Sequence, residues 1–254
     1  MEKDVIITCF ACSAQAPCKD FAKKYFTDEP IIISVPGGGG SSFRAKAIQW
    51  AKTGDAFAAA LKENGYKDVT IKRRGLVTFS VGWSFADELF KFQNEIDKLN
   101  AYILLDGCHT TNLDNWIKFA TKAANADAWM TMAHTAIIPP TFPSSTNTNT
   151  ALFKAACSNN DANEQSPKME TNLPEYILQA QLPVNGVDIS LGASPGMQAS
   201  KKHWVTDPLV SSMNRGYLTK LGYSGNGPTD HVYVAWHVAP RLWNLLGDFW
   251  SSNV

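Results

Sequence analysis

Short apolar runs alternate along the chain with longer segments in which apolar residues recur every three or four positions. The runs indicate strands and the longer segments indicate helices, a pattern typical of a sheet with crossover helices. We predict strands at 5–9, 31–35, 69–72, 76–81, 101–105, 128–133 and 217–223, and helices at 43–64, 85–99, 113–124 and 232–249. Two of the strands are almost entirely apolar, as expected when both faces are covered. The predicted fold class is therefore α/β, with three layers and a mostly parallel central sheet.

The pattern changes between residues 137 and 174, where Pro, Ser, Thr and Asn are frequent. This composition predicts a long loop with at most a short helix at 151–156. Long loops in compact domains often bind ligands, so the segment is a candidate lid or substrate-binding excursion, but a surface insertion without a role fits equally well. The length of 254 residues is compatible with one large domain, and we expect residues 1–254 to form it.

The charge balance argues against a polyanionic partner. Lys plus Arg and Asp plus Glu number 23 each, so no overall basic field would attract nucleic acid. No apolar run approaches the roughly 20 residues that span a bilayer, and the first residues do not have the pattern of a signal peptide. We therefore expect a protein without a membrane span that is cytoplasmic as synthesised, although release by other means stays open.

Five cysteines are scattered over the chain, and an odd number is poor material for a disulfide framework. Cys9 and Cys12 form a C-x-x-C pair, but a metal site normally needs further ligands at defined spacing. Small buried thiols in a reducing compartment are the preferred interpretation. We expect neither a metal nor a cofactor.

Ser84 lies at a corner between the predicted strand 76–81 and the helix that follows. Asp87 stands three residues later, so Ser84 could simply cap the helix. The pentapeptide Gly82-Trp83-Ser84-Phe85-Ala86 also resembles the G-x-S-x-G nucleophile elbow of the α/β-hydrolase superfamily, although Ala86 departs from the second glycine. The resemblance implies a three-layer α/β-hydrolase-like fold with Ser84 as nucleophile.

An elbow serine needs amide donors for the oxyanion that forms during catalysis. The resemblance assigns this role to the amide of Phe85 and to Gly38 or Gly39 in the glycine-rich loop after strand 31–35. The same loop lacks the lysine of a phosphate-binding P-loop. It also has Ser42 where a dinucleotide fingerprint has its last glycine, so a dinucleotide-binding protein is a less favoured alternative.

A histidine and an acid complete the predicted catalytic group. His231 lies late in the chain, before the final helix, where the resemblance places the base. Asp106 follows a buried strand, at the edge where parallel sheets collect ligands and catalytic groups, and is the preferred acid. Asp207 and Asp230 remain substitutes, and a simple Asp-Gly turn at Asp106 is the alternative without a catalytic role.

The predicted function is that of a serine esterase or lipase-like hydrolase, which cleaves a small or polymeric carboxylic ester through an acyl-serine intermediate. Amidase or acyltransferase chemistry stays open, as does a binding or structural protein on the same scaffold. The sequence leaves the oligomeric state undetermined. The predicted substrate-binding side chains are Trp83, His109, His134 and Phe142.

Overall fold

The computed structural model describes residues 1–10, 18–37, 39–135, 145–158, 209–223, 231 and 234–252. All strands in these ranges belong to one seven-stranded sheet with the order β2-β1-β3-β4-β5-β7-β6. Six strands run parallel, and β6 pairs antiparallel with β7 at one edge. The strands are β1 (Glu2–Phe10), β2 (Ile31–Ser34), β3 (Thr70–Phe79), β4 (Ala101–Leu105), β5 (Trp129–His134), β6 (Leu209–Arg215) and β7 (Leu218–Tyr223).

Eight α-helices connect or flank these strands within the described ranges. They are α1 (Cys18–Tyr25), α2 (Gly40–Ala51), α3 (Ala56–Glu63), α4 (Trp83–Leu89), α5 (Gln93–Lys98), α6 (Asp114–Ala124), α7 (Ser145–Ser158) and α8 (Ala239–Ser252). A 3₁₀ turn (Ser80–Gly82) joins β3 to α4, and a π-helical turn (Val234–Val238) precedes α8. Within the described ranges, every helix falls short of the length and apolarity needed to cross a membrane.

The core has two halves, one on each face of the sheet. Side chains of a strand alternate between the faces, so Val5 and Ile7 of β1 join one apolar cluster and Ile6 joins the other. The first cluster contains residues of α2 to α7, and the second contains residues of α1 and α8. These three layers confirm the predicted α/β class with helices on both faces of a mostly parallel sheet.

The predicted strands at 69–72 and 76–81 are one continuous strand, β3. The two arginines in its middle interrupted the apolar pattern and suggested a break. Arg73 instead forms an ion pair of 2.7 Å with the buried carboxylate of Asp4, and Arg74 pairs with Asp55 at 2.8 Å. Strand β6 was not predicted, because its sequence LVSSMNR is too polar to indicate a buried strand.

Two predicted helices are each divided in the structure. The segment 43–64 breaks into α2 and α3, with Gly54 at φ +87° between them. Asp55 then caps α3 by accepting a 3.1 Å hydrogen bond from the amide of Ala58. The segment 85–99 similarly divides into α4 and α5, and helix α1 was not predicted. Local turn chemistry therefore interrupted a helical pattern that looked continuous.

The predicted excursion at 137–174 contains a longer helix than expected. Helix α7 has 14 residues and buries Leu152, Phe153 and Ala156 in the core. It packs against α6 and against strands β5 and β7. Residues 145–158 therefore belong to one of the two helical layers, and the rest of the predicted lid lies outside the described residues.

The contact between α8 and α1 leaves no room for a side chain at Gly247. A Cβ built on Gly247 would lie 2.1 Å from the carbonyl oxygen of Tyr25, which is far inside van der Waals contact. We predict that Gly247→Ala lowers the free energy of unfolding by about 1 to 3 kcal/mol, although alanine is the better helix former. Urea unfolding would measure this, with Asn244→Ala on the same helix as the control, expected to change stability by less than about 0.5 kcal/mol. An unchanged or raised stability of Gly247→Ala would contradict this packing.

Candidate active site

A serine, a histidine and an aspartate form a continuous hydrogen-bonded group at the carboxyl edge of the sheet. Nε2 of His231 lies 2.7 Å from Oγ of Ser80, and Nδ1 of His231 lies 2.8 Å from Oδ2 of Asp106. The Asp106 carboxylate is fully buried, whereas the side chain of His231 is 18% exposed. This order and spacing are those of a nucleophile, a general base and an acid that orients the base.

Ser80 occupies a sharp turn between a strand and a helix. It follows the last residue of β3, and its φ of +53° lies in the left-handed region that non-glycine residues seldom adopt. Gly82, two residues later, passes against β1, since a Cβ there would lie 1.9 Å from the carbonyl oxygen of Cys9. The turn thus requires a glycine two positions after the serine, as in a nucleophile elbow. Thr78, two positions before the serine, departs from the glycine of that motif.

Asp106 reaches Ser80 because their strands are neighbours. Strand β3 pairs with β4 so that Phe79 lies opposite Leu105. Ser80 follows Phe79, and Asp106 follows Leu105. Asp106 also has a positive φ, of +41°. Gly107 allows close packing beside the elbow, because a Cβ there would lie 3.1 Å from the carbonyl oxygen of Ser80.

The imidazole of His231 is held from a second direction by aromatic packing. Its ring lies 4.8 Å from the ring centroid of Phe79, with the planes inclined by 30°. The π-helical turn Val234–Val238 follows shortly afterwards, and Val234 and Ala235 belong to the same apolar cluster as Phe79. Such π-helical turns are frequent at functional sites. The packing therefore holds His231 over the end of β3.

Ser84, the predicted nucleophile, is not the serine that hydrogen-bonds to His231, because Nε2 of His231 lies 2.7 Å from Oγ of Ser80. Ser84 is 2% exposed, and its Oγ lies 2.7 Å from the carbonyl oxygen of Val81 and 3.0 Å from that of Gly40. Both neighbours are acceptors, so the hydroxyl proton is directed to the backbone. Ser84 does not cap α4 either, because Gly82 occupies the N-cap position. Gly82 lies two residues before Ser84, as the prediction used it, and also two residues after Ser80.

The assignment of the oxyanion donors also depends on which serine occupies the elbow. When Ser80 is the elbow residue, the amide that follows the nucleophile belongs to Val81 and not to Phe85, whose ring is buried against Trp50. The glycine loop follows β2, and β1 lies between β2 and β3. Gly39 therefore follows a strand that is not a neighbour of β3, and Gly38 is outside the described residues.

The predicted substrate-binding residues are distributed around the site. Trp83 and His109 are both buried, with their ring centroids 6.3 Å apart, and Trp83 lies beside Gly107 near the elbow. His134 is 2% exposed, so the expected direct contact with a substrate is not supported. Phe142 lies outside the described residues, as do the substitute acids Asp207 and Asp230.

One interaction of the site gave no signal in the sequence analysis. Thr135, just after β5, donates to both oxygens of Asp106: its amide lies 3.0 Å from Oδ1, and its Oγ1 lies 2.5 Å from Oδ2. Its position two residues after the predicted strand 128–133, and directly after the observed β5, was the available clue. Without the strand order, nothing distinguished it from other threonines.

The predicted C-x-x-C pair is described only in part, because Cys12 lies outside the described residues. Cys9 is fully buried, and burial raises the pKa of its thiol well above the usual range. Within the described ranges, no three His, Cys, Asp or Glu side chains are grouped closely enough to hold a metal ion.

Comparisons with known proteins leave the family open. No protein-family model matches the chain, and no curated protein and no solved structure matches it either. The chemistry of the site therefore has to be inferred from its geometry.

The buried His134 makes a measurable contribution to the pH dependence of stability. Burial, together with the nearby Lys220 ammonium, lowers the pKa of His134 from its usual 6.5 to about 4. Below about pH 6.5 the unfolded chain therefore binds a proton that the folded protein does not bind until the pH approaches 4. The contribution of His134 to stability is therefore fully present above about pH 6.5 and falls towards pH 4. We predict that His134 accounts for a loss of roughly 2 kcal/mol in the free energy of unfolding between pH 7 and pH 5.

Urea unfolding of the wild type and of His134→Gln at the two pH values would measure this contribution, since glutamine does not titrate. The pH-dependent loss should shrink by that amount in the variant. An equal loss in both proteins would show that His134 is protonated or exposed in the folded state.

Proposed function

We propose that this protein is a serine hydrolase that cleaves a carboxylic ester, with Ser80 as nucleophile, His231 as general base and Asp106 as the acid that orients the base. The observation that carries the proposal is the pair of hydrogen bonds of 2.7 Å and 2.8 Å that join the three side chains. The left-handed backbone of Ser80 supports it, because strained serines at the end of a strand are a feature of nucleophile elbows.

In the proposed reaction, the Ser80 hydroxyl donates its proton to Nε2 of His231 as Oγ attacks the ester carbonyl carbon. The imidazolium is stabilised by the Asp106 carboxylate at Nδ1. The tetrahedral intermediate then collapses, the C–O bond to the alcohol breaks, and His231 returns the proton to the departing alcohol. Water, deprotonated by the same imidazole, hydrolyses the acyl-serine and restores the Ser80 hydroxyl.

The surroundings of Ser80 suit this role better than those of Ser84. Ser80 is partly exposed and Val81 is exposed, so a substrate carbonyl can approach from solvent. The amide of Val81 is the donor expected next to the oxyanion, since it follows the nucleophile directly. Strand β1 ends beside the elbow, with Phe10 opposite Phe79.

Covalent labelling tests the nucleophile directly. A fluorophosphonate probe reacts with a serine activated by a neighbouring base, and we predict that it labels the wild type at Ser80. Ser80→Ala should abolish labelling, whereas Ser84→Ala, only four residues away, should retain it. Gel fluorescence and mass spectrometry of the labelled peptide would identify the modified residue.

The same experiment separates an enzyme from a non-catalytic protein on this scaffold. Wild type that is folded by circular dichroism but is not labelled would rule out an activated serine. Labelling that persists in Ser80→Ala and disappears in Ser84→Ala would return the role to Ser84.

The orienting role of Asp106 predicts a large kinetic effect. In Asp106→Asn the amide cannot hold the imidazole in the tautomer that accepts the Ser80 proton, and we expect kcat for p-nitrophenyl esters to fall on the order of 10⁴-fold. Esters of graded acyl length, assayed with wild type and variant, would measure this loss and define the preferred acyl group. A loss of less than about tenfold would contradict the assigned acid.

A further inference from the structure

The hydrogen-bonded group at the active site continues beyond Asp106 to helix α7. Thr135 donates to both carboxylate oxygens of Asp106, with its amide 3.0 Å from Oδ1 and its hydroxyl 2.5 Å from Oδ2. The carbonyl oxygen of Thr135 in turn accepts a 2.7 Å hydrogen bond from Oγ1 of Thr146, in the first turn of α7. Asp106 is thus held by Thr135, and Thr135 is held by helix α7.

Thr146 also lies beside the buried imidazole of His134. Nδ1 of His134 is 3.2 Å from Oγ1 of Thr146 and 3.3 Å from the carbonyl oxygen of Thr135. Burial keeps His134 neutral, since it lowers the pKa of that imidazole to about 4.

The consequence for Asp106 is electrostatic as well as geometric. A carboxylate that accepts several hydrogen bonds is stabilised in its charged form, which opposes the effect of complete burial. The same oxygen, Oδ2, accepts from Thr135 and from Nδ1 of His231. The Thr135 hydroxyl therefore both fixes the position of Oδ2 and reduces its basicity towards the imidazole.

We propose that Thr135 is a positioning residue of the active site, which holds Asp106 as an oriented carboxylate and is itself held by Thr146 from helix α7. This inference rests on the proposed serine hydrolase function. It gives Thr135 and helix α7 a role in catalysis that does not require contact with the substrate.

The test is a set of three threonine variants assayed with a short p-nitrophenyl ester across pH. Thr135→Val keeps the shape of the side chain and removes the hydroxyl, and we expect kcat to fall about tenfold to a hundredfold with little change in KM. The acid limb of the kcat/KM profile should move to higher pH, because a carboxylate that has lost the Thr135 hydroxyl donor at Oδ2 holds the proton of His231 more strongly. Thr135→Ser, which retains a hydroxyl, should restore most of the activity and the original profile.

Thr131 provides the matched control, on the strand that precedes Thr135. Its hydroxyl is buried and has no hydrogen-bond partner among the described residues, so Thr131→Val makes the same chemical change without removing a hydrogen bond. We expect this variant to keep wild-type kcat and the wild-type pH profile. A loss that is equal in Thr131→Val and Thr135→Val would assign the effect to general packing and overturn the proposal.

Two further outcomes separate this inference from the proposed function. If the fluorophosphonate probe labels wild-type Ser80 but Thr135→Val keeps its kcat and its acid limb, only the positioning role fails. If wild type is not labelled, the hydrolase proposal itself fails. Should Thr135→Val not fold, Thr146→Val must move the acid limb in the same direction by a smaller amount, and an unshifted profile overturns the proposal.

Discussion

The parallel pairing of three central strands is the constraint on which the rest of the site depends. The register places Phe79 opposite Leu105 and Leu105 opposite Ala133, so β3, β4 and β5 end at the same level. Ser80, Asp106 and Thr135 all follow these ends within two residues. Because neighbouring strands lie about 4.8 Å apart, side chains at these positions are close enough to interact across the edge of the sheet.

Two of these residues have an unusual backbone conformation. Ser80 and Asp106 both adopt positive φ values, of +53° and +41°, which are unfavourable for residues with a Cβ. The surrounding structure holds them there, because Gly82 lets the carbonyl of Cys9 approach more closely than any side chain would permit, and Gly107 leaves tight but sufficient room beside the carbonyl of Ser80. The strain is concentrated where two side chains turn towards one histidine, and such strain is common at functional sites.

The site also draws on both helical layers. His231 packs on Phe79, in the apolar cluster that includes α8, whereas Thr146 comes from α7 on the opposite face of the sheet. The edge of the sheet is where these two layers meet. Residues that are far apart in sequence are thereby joined in one hydrogen-bonded network.

The sequence by itself determined the alternating α/β architecture and the buried central strands, because hydrophobic periodicity is local. It also led to Asp106, through its place at a strand end, and to His231, through the resemblance to a known superfamily, and the structure joins these two side chains by a 2.8 Å hydrogen bond. It could not choose between Ser80 and Ser84, which flank the same glycine. Only the tertiary structure decided that Gly82 must follow the turning serine, since the carbonyl of Cys9 on a neighbouring strand occupies the space of its missing Cβ. The same is true of Thr135, whose partner became visible only when the order of the strands was known.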